Sequence, residues 1–144
     1  MEITVSSIML SKLVTCSSDC NLRKVAQKII DEDAGSVLTK QEDEIIGIIT
    51  EKDLLRAVIK HKDFEATYAR EIMSSPLDCC DAEDSLEKCM ELFDKTNRSR
   101  LVVKRGQKYV GVLRRKILER FLNTAKRYSM AGIASSPKFR TGRG

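Results

Sequence analysis

Apolar residues follow two spacings along this chain. Leu22, Val25, Ala26, Ile29 and Ile30 recur at i, i+3, i+4, i+7 and i+8, which lines one face of a helix. Ser17-Ser18-Asp19 offers polar groups to cap that helix, and Ala34-Gly35 is where it is expected to stop. Val14-Thr15-Cys16, Ser36-Val37-Leu38-Thr39 and residues 45–49 are short runs rich in β-branched side chains and predict strands. Gln41-Glu42-Asp43-Glu44 is a polar turn between the last two. Leu54, Leu55, Val58 and Ile59 predict the buried face of a second helix. The order is β-α-β-β-α.

The pattern then returns. Residues 61–67 are a polar connector, and Tyr68-Ala69-Arg70-Glu71-Ile72-Met73 predicts a short helical turn ended by Ser75-Pro76. A strand is expected around Leu77-Asp78-Cys79-Cys80. Asp84 or Ser85 can cap a helix whose apolar face is Leu86, Cys89, Met90 and Phe93. Arg100-Leu101-Val102-Val103 and Tyr109-Val110-Gly111-Val112-Leu113 form a strand pair, and Ile117, Leu118, Phe121, Leu122 and Ala125 mark the last helix. Ile8-Met9 recurs as Ile72-Met73, Leu13 as Leu77, Cys16 as Cys80, Leu22 as Leu86 and Gly47 as Gly111, always 64 residues on. The chain is therefore one unit written twice, residues 1–64 and 65–123, followed by a basic tail at 124–144 expected to be mobile from about Ser129. One copy is too small to bury a good core alone, so the two are expected to pack about a pseudo-twofold axis as an α/β (α+β) fold.

Within the first copy, Gly47-Ile48-Ile49-Thr50-Glu51-Lys52-Asp53 reads as a strand end, a turn and a helix start. Thr50 and Asp53 have the spacing of a capping box. The same residues set a hydroxyl, an acceptor-only carboxylate and free N–H groups at one helix N-terminus, where phosphate and ribose hydroxyls can be held. On these local residues alone a capped helix without ligand is the favoured reading.

Charge changes the picture locally. The net charge is +5, and Lys126, Arg127, Lys138, Arg140 and Arg143 supply the whole excess. Inside the body, residues 95–120 hold ten basic residues against the single acid Glu119, a candidate anion-attracting face. No apolar run reaches the length of a membrane span, and no secretory leader opens the sequence. The five cysteines then read as reduced thiols of a cytoplasmic protein.

Taken together, the repeated Ile-Met dipeptide, Leu22-Arg23-Lys24-Val25-Ala26 with its counterpart Leu86-Glu87-Lys88-Cys89-Met90, and above all the Gly47–Asp53 stretch resemble a tandem pair of cystathionine-β-synthase (CBS) domains, a Bateman module, over about residues 5–122. The resemblance implies a regulatory module, not an enzyme. It needs no cofactor and binds an adenosine-containing ligand such as AMP, ADP, ATP or S-adenosylmethionine. It implies that Asp53 accepts the ribose hydroxyls and that Thr50 contacts ribose or phosphate. It further implies that Pro76, Leu77, Asp78 and Cys79 wall the same cleft, with Arg98, Ser99 and Arg100 on a nearby strand. A homodimer formed through helices, signalling to a protein partner, belongs to the same expectation. The second copy departs from the motif: Gly111-Val112-Leu113-Arg114-Arg115-Lys116-Ile117 has Arg for Thr and Ile for Asp, so its ribose site is expected to be lost, with Ile117 packed in the core, the alternative being a more anionic ligand held by Arg114. Cys16, Cys79 and Cys80 lack a CxxC spacing, and no catalytic constellation is legible. The alternative function is a non-catalytic scaffold that meets nucleic acid weakly through the basic face and tail.

Overall fold

In the computed structural model, residues 3–134 are described, with side chains through residue 125. The chain divides into two packing units, one of Ser11–Asp78 and one of Met1–Leu10 with Cys79–Gly144. Each is built around a three-stranded sheet.

In the Ser11–Asp78 unit, β1 (Thr15–Ser17) runs parallel to β2 (Ser36–Gln41), which pairs antiparallel with β3 (Glu44–Thr50). Helix α1 (Leu22–Asp31) joins β1 to β2, α2 (Glu51–Ile59) follows β3, and α3 (Ala69–Ile72) follows the connector. In the other unit, β4 (Cys79–Asp81), β5 (Arg100–Arg105) and β6 (Lys108–Arg114) repeat that sheet, with α4 (Leu86–Thr96) and α5 (Arg115–Ala134). The registers agree to the residue at an offset of 64: Val37 faces Ile49 and Leu101 faces Leu113, and both strand pairs shift register at the same point, after Thr39 and after Val103.

The cores follow the apolar spacings. Leu22, Val25, Val37 and Ile49 are fully buried in one unit, and Phe93, Leu101, Val103, Leu113 and Leu118 in the other. Several local expectations need correction. The cap of α1 is Asn21, whose side chain accepts from the Lys24 N–H, rather than the Ser17–Asp19 group. The left-handed residue after α1 is Asp33 (φ 51) rather than Gly35. The first strand and the β4 strand both begin later than read, at Thr15 and Cys79. Leu55, Val58 and Ile59, expected inside, are 62%, 57% and 75% exposed, and Leu54 with Ala57 carries the buried face of α2. Ile30 is likewise 72% exposed. The last helix continues to Ala134, through the start of the segment expected to be a mobile tail. The remaining tail residues, including Lys138, Arg140 and Arg143, lie outside the described residues.

The packing units are not the sequence repeats. The segment that opens the first repeat packs on the sheet of the second: Leu10 and Val112 exchange N–H···O bonds of 2.9 Å each. The equivalent segment that opens the second repeat packs on the sheet of the first, where Ser74 and Ile48 exchange bonds of 2.9 and 3.1 Å. Gly47 and Gly111 make this seating possible. A Cβ on Gly47 would lie 2.7 Å from the Met73 sulfur and 2.8 Å from Thr39 Oγ1. One on Gly111 would lie 2.6 Å from the Met9 sulfur and 2.7 Å from the Leu10 carbonyl oxygen. The repeated Ile-Met dipeptide and the repeated glycine are thus two halves of one contact.

Candidate functional site

Thr50 ends β3 in an extended conformation and caps α2. Its hydroxyl accepts from the Asp53 N–H at 3.3 Å and donates to Asp53 Oδ2 at 3.0 Å. Asp53 Oδ2 also accepts from the Thr50 N–H at 2.8 Å, which completes a reciprocal capping box. The N–H of Glu51 is taken by the Gly35 carbonyl at 3.2 Å. Thr50 is buried, while the Asp53 side chain is 19% exposed.

The two carboxylate oxygens of Asp53 have different duties. Oδ2 is committed to the helix start. Oδ1 pairs with Arg56 Nη1 at 3.2 Å, and Arg56 is 62% exposed. An ion pair with so exposed a partner is worth little and is readily exchanged. Arg56 was not singled out from sequence, although an acid and a base three apart on a helix are a readable pair.

Pro76, Leu77 and Asp78 share the Ser11–Asp78 unit with Thr50 and Asp53. The Ser74 bridge to Ile48 lays their segment beside the end of β3, two residues before the capping threonine. Pro76, which follows a cis peptide bond, is exposed, while Leu77 and Asp78 are half-buried. Cys79, Arg98, Ser99 and Arg100 belong to the other unit. There the Ser99 carbonyl accepts from the Arg115 N–H at 2.9 Å, as Gly35 does for Glu51. Arg100 stands opposite Arg114 across the β5–β6 pair, and Cys79 opposite Val102.

In that unit the position of Thr50 is held by Arg114 and that of Asp53 by half-buried Ile117. Arg114 Nε is buried with no hydrogen-bond partner among the described residues. Its neighbour Arg115 is fully engaged, pairing with Asp94 and Glu119, and Arg105 pairs with Glu83. Part of the basic run read from sequence is therefore neutralised by acids that the fold brings to it.

The surroundings hold the Cys16 and Cys80 thiols in the neutral form, while the hydrogen bond with Cys80 shifts Cys89 down. Burial and the neighbouring Cys20 push the Cys16 thiol up to about 12. A hydrogen bond to Cys89, and then burial, hold the Cys80 thiol protonated well above the usual thiol range. None of the five cysteines is part of a disulfide. Among the described residues, no cluster of three or more His, Cys, Asp or Glu side chains has the arrangement of a metal site, and no helix is long and apolar enough to cross a membrane.

The CBS domain family matches this chain twice, at residues 5–60 and 69–123. An uncharacterized protein of Methanopyrus kandleri is 29% identical over 115 residues, which are 78% of this chain and 59% of that protein. The chain thus spans about three fifths of the length of this curated relative. Among solved structures, a putative signal-transduction protein with CBS domains from Burkholderia ambifaria superposes with a TM-score of 0.75 at 24% identity, covering 83% of this chain and 93% of that one. A CBS domain protein of Pyrobaculum aerophilum, complexed with AMP, gives 0.70 at 23% identity, covering 84% and 99%. A hexameric CBS-CP12 protein from bloom-forming cyanobacteria gives 0.74 at 20% identity, covering 81% and 69%. At these identities the likeness is one of fold.

Proposed function

Since the chain belongs to the CBS-domain family and carries two CBS domains in tandem, a regulatory module, we propose that it senses an adenosine-containing ligand of the AMP, ADP, ATP or S-adenosylmethionine class. The ligand's ribose is held by Asp53 and its ribose or phosphate by Thr50. The observation that carries this reading is the divided carboxylate of Asp53. Oδ2 keeps the helix start in place, and Oδ1 is held only by an exposed arginine that a ribose hydroxyl can displace. The AMP bound to the Pyrobaculum aerophilum protein supports the ligand class.

In this proposal Pro76, Leu77, Asp78, Cys79, Arg98, Ser99 and Arg100 contribute to the walls around the ligand, the arginines toward its phosphates. The protein has no catalytic role of its own and requires no cofactor. It works in the cytoplasm, where its cysteines stay reduced, and passes occupancy to a protein partner. Two copies associate through α1 and α2, whose Ile30, Leu55, Val58 and Ile59 form an apolar face of the kind that marks an interaction surface. The equivalent positions on α4 and α5 are Asp94, Glu119, Leu122 and Asn123, and Asp94 and Glu119 are tied to Arg115. The association therefore uses the first helix pair of each copy.

Titration calorimetry with AMP, ATP and S-adenosylmethionine, on the parent and on Asp53→Asn, tests the sensing. A charge-assisted hydrogen bond contributes about 1.5–3 kcal/mol, so the substitution is expected to weaken binding by roughly tenfold to a hundredfold. The proposal fails if no ligand binds at millimolar concentration, or if Asp53→Asn binds like the parent. The nucleic-acid alternative predicts instead an affinity that falls steeply with salt and vanishes when residues 126–144 are removed.

A further inference from the structure

An apolar cavity lies wholly within the Met1–Leu10 and Cys79–Gly144 unit. It encloses about 440 Å³ and is lined by Ile3, Ile117, Arg120, Phe121, Thr124 and Ala125. Its wall is almost entirely apolar, and its volume falls in the range of small-molecule sites.

The internal repeat says what the cavity lacks. At an offset of 64, Arg120 is the counterpart of Arg56 and Ile117 the counterpart of Asp53. In the Ser11–Asp78 unit, Arg56 pairs with Asp53 across one helical turn. In the cavity the carboxylate has been replaced by a hydrocarbon and the guanidinium has been kept. Arg120 is exposed, and among the described residues no carboxylate pairs with it. Phe121 replaces Ala57, widening the apolar wall beside that guanidinium. In the Ser11–Asp78 unit the connector packs Phe64 on the core, and Thr67, the counterpart of Ile3, is buried.

We propose that this cavity binds a small apolar carboxylate. The hydrocarbon body lies on Ile3, Ile117, Phe121 and Ala125. The carboxylate pairs with Arg120 and supplies the charge that Asp53 supplies in the other unit. Thr124 adds a hydroxyl at the same rim, although its own proton goes to the Arg120 carbonyl at 3.0 Å, so toward a ligand it acts as an acceptor and favours no second anion. The site is independent of the nucleotide proposal, using neither Thr50 nor Asp53.

The probes are 4-phenylbutyrate and its uncharged analogue 4-phenylbutan-1-ol, titrated by calorimetry and by amide chemical shifts on the full chain. The acid is expected to bind about tenfold more tightly than the alcohol, from one charge-assisted pair. Arg120→Gln, an exposed change that leaves the core intact, removes that preference while the alcohol binds as before. Phe121→Leu weakens both probes. Equal affinity of acid and alcohol for the parent, a preference that survives Arg120→Gln, or no binding of either at millimolar concentration each overturns the proposal. So does shift mapping of the acid to residues away from Ile117 and Phe121, or a groove found closed by a second copy.

Discussion

At Gly111 an added methyl group meets backbone, the Leu10 carbonyl oxygen, as well as the Met9 side chain, whereas at Gly47 it meets two side chains, Met73 and Thr39. Side chains give way more easily than backbone, so the two equivalent glycines are not equally replaceable. Gly111→Ala is expected to destabilise by about 1–3 kcal/mol, the usual range for overpacking, and Gly47→Ala by less, read from urea midpoints at unchanged slope. The glycine repeat was legible in the sequence, but its cause was not, because the methionine that requires it lies far along the chain in both cases. The capping box of Thr50 and Asp53 was legible for the opposite reason: all its atoms lie within four residues. Cys16 makes a third case. Its thiol is held at about 12 against an ordinary value of 9.0, so the folded state favours the neutral form. The stabilisation is complete below about pH 9 and is lost as pH rises toward 12. The denaturation midpoint should fall across that window, and Cys16→Ala should flatten the fall; an unchanged slope in the variant would remove Cys16 as its source.

At the scale of elements, α2 shows where pattern reading reaches its limit. Leu54, Leu55, Val58 and Ile59 are all apolar, and spacing alone assigns them to the core. The sheet covers only the Leu54 and Ala57 side, leaving three large residues facing outward. Periodicity reports which residues avoid water and cannot tell an intramolecular cover from an intermolecular one. Val58→Glu with Ile59→Glu should therefore leave the fold unchanged by circular dichroism while reducing the mass seen by light scattering to that of one chain. A parent protein that already runs as a monomer would count against the face as an association surface. The strands, by contrast, were legible to within about two residues, since a half-buried three-stranded sheet imposes its composition on most positions.

For the whole molecule, the repeat was plain in the sequence and its partition into packing units was not. Repeat boundaries are set by similarity, and packing boundaries by which surfaces meet. Residues 11–78 contain every member of the core around Leu22 and Ile49, including Ala69, Ile72 and Met73. Residues 1–64 lack those three, and also Thr67, whose carbonyl receives the Leu22 N–H at 3.0 Å. A fragment of residues 11–78 is expected to keep a cooperative thermal transition by circular dichroism, and one of residues 1–64 to lose it. Equal transitions in the two would show that the exchanged segment contributes nothing to the first sheet.

The crossing of Met9 onto Gly111 and of Met73 onto Gly47 also bears on how such a chain arises. A single copy of the unit would leave its own sheet uncovered, with its opening segment directed at a sheet it does not possess. Two separate copies would repair this by trading opening segments, the arrangement known as domain swapping. Read this way, the tandem chain is a swapped dimer whose two partners have been written in line, so the connector between them does the work that protein concentration would otherwise have to do.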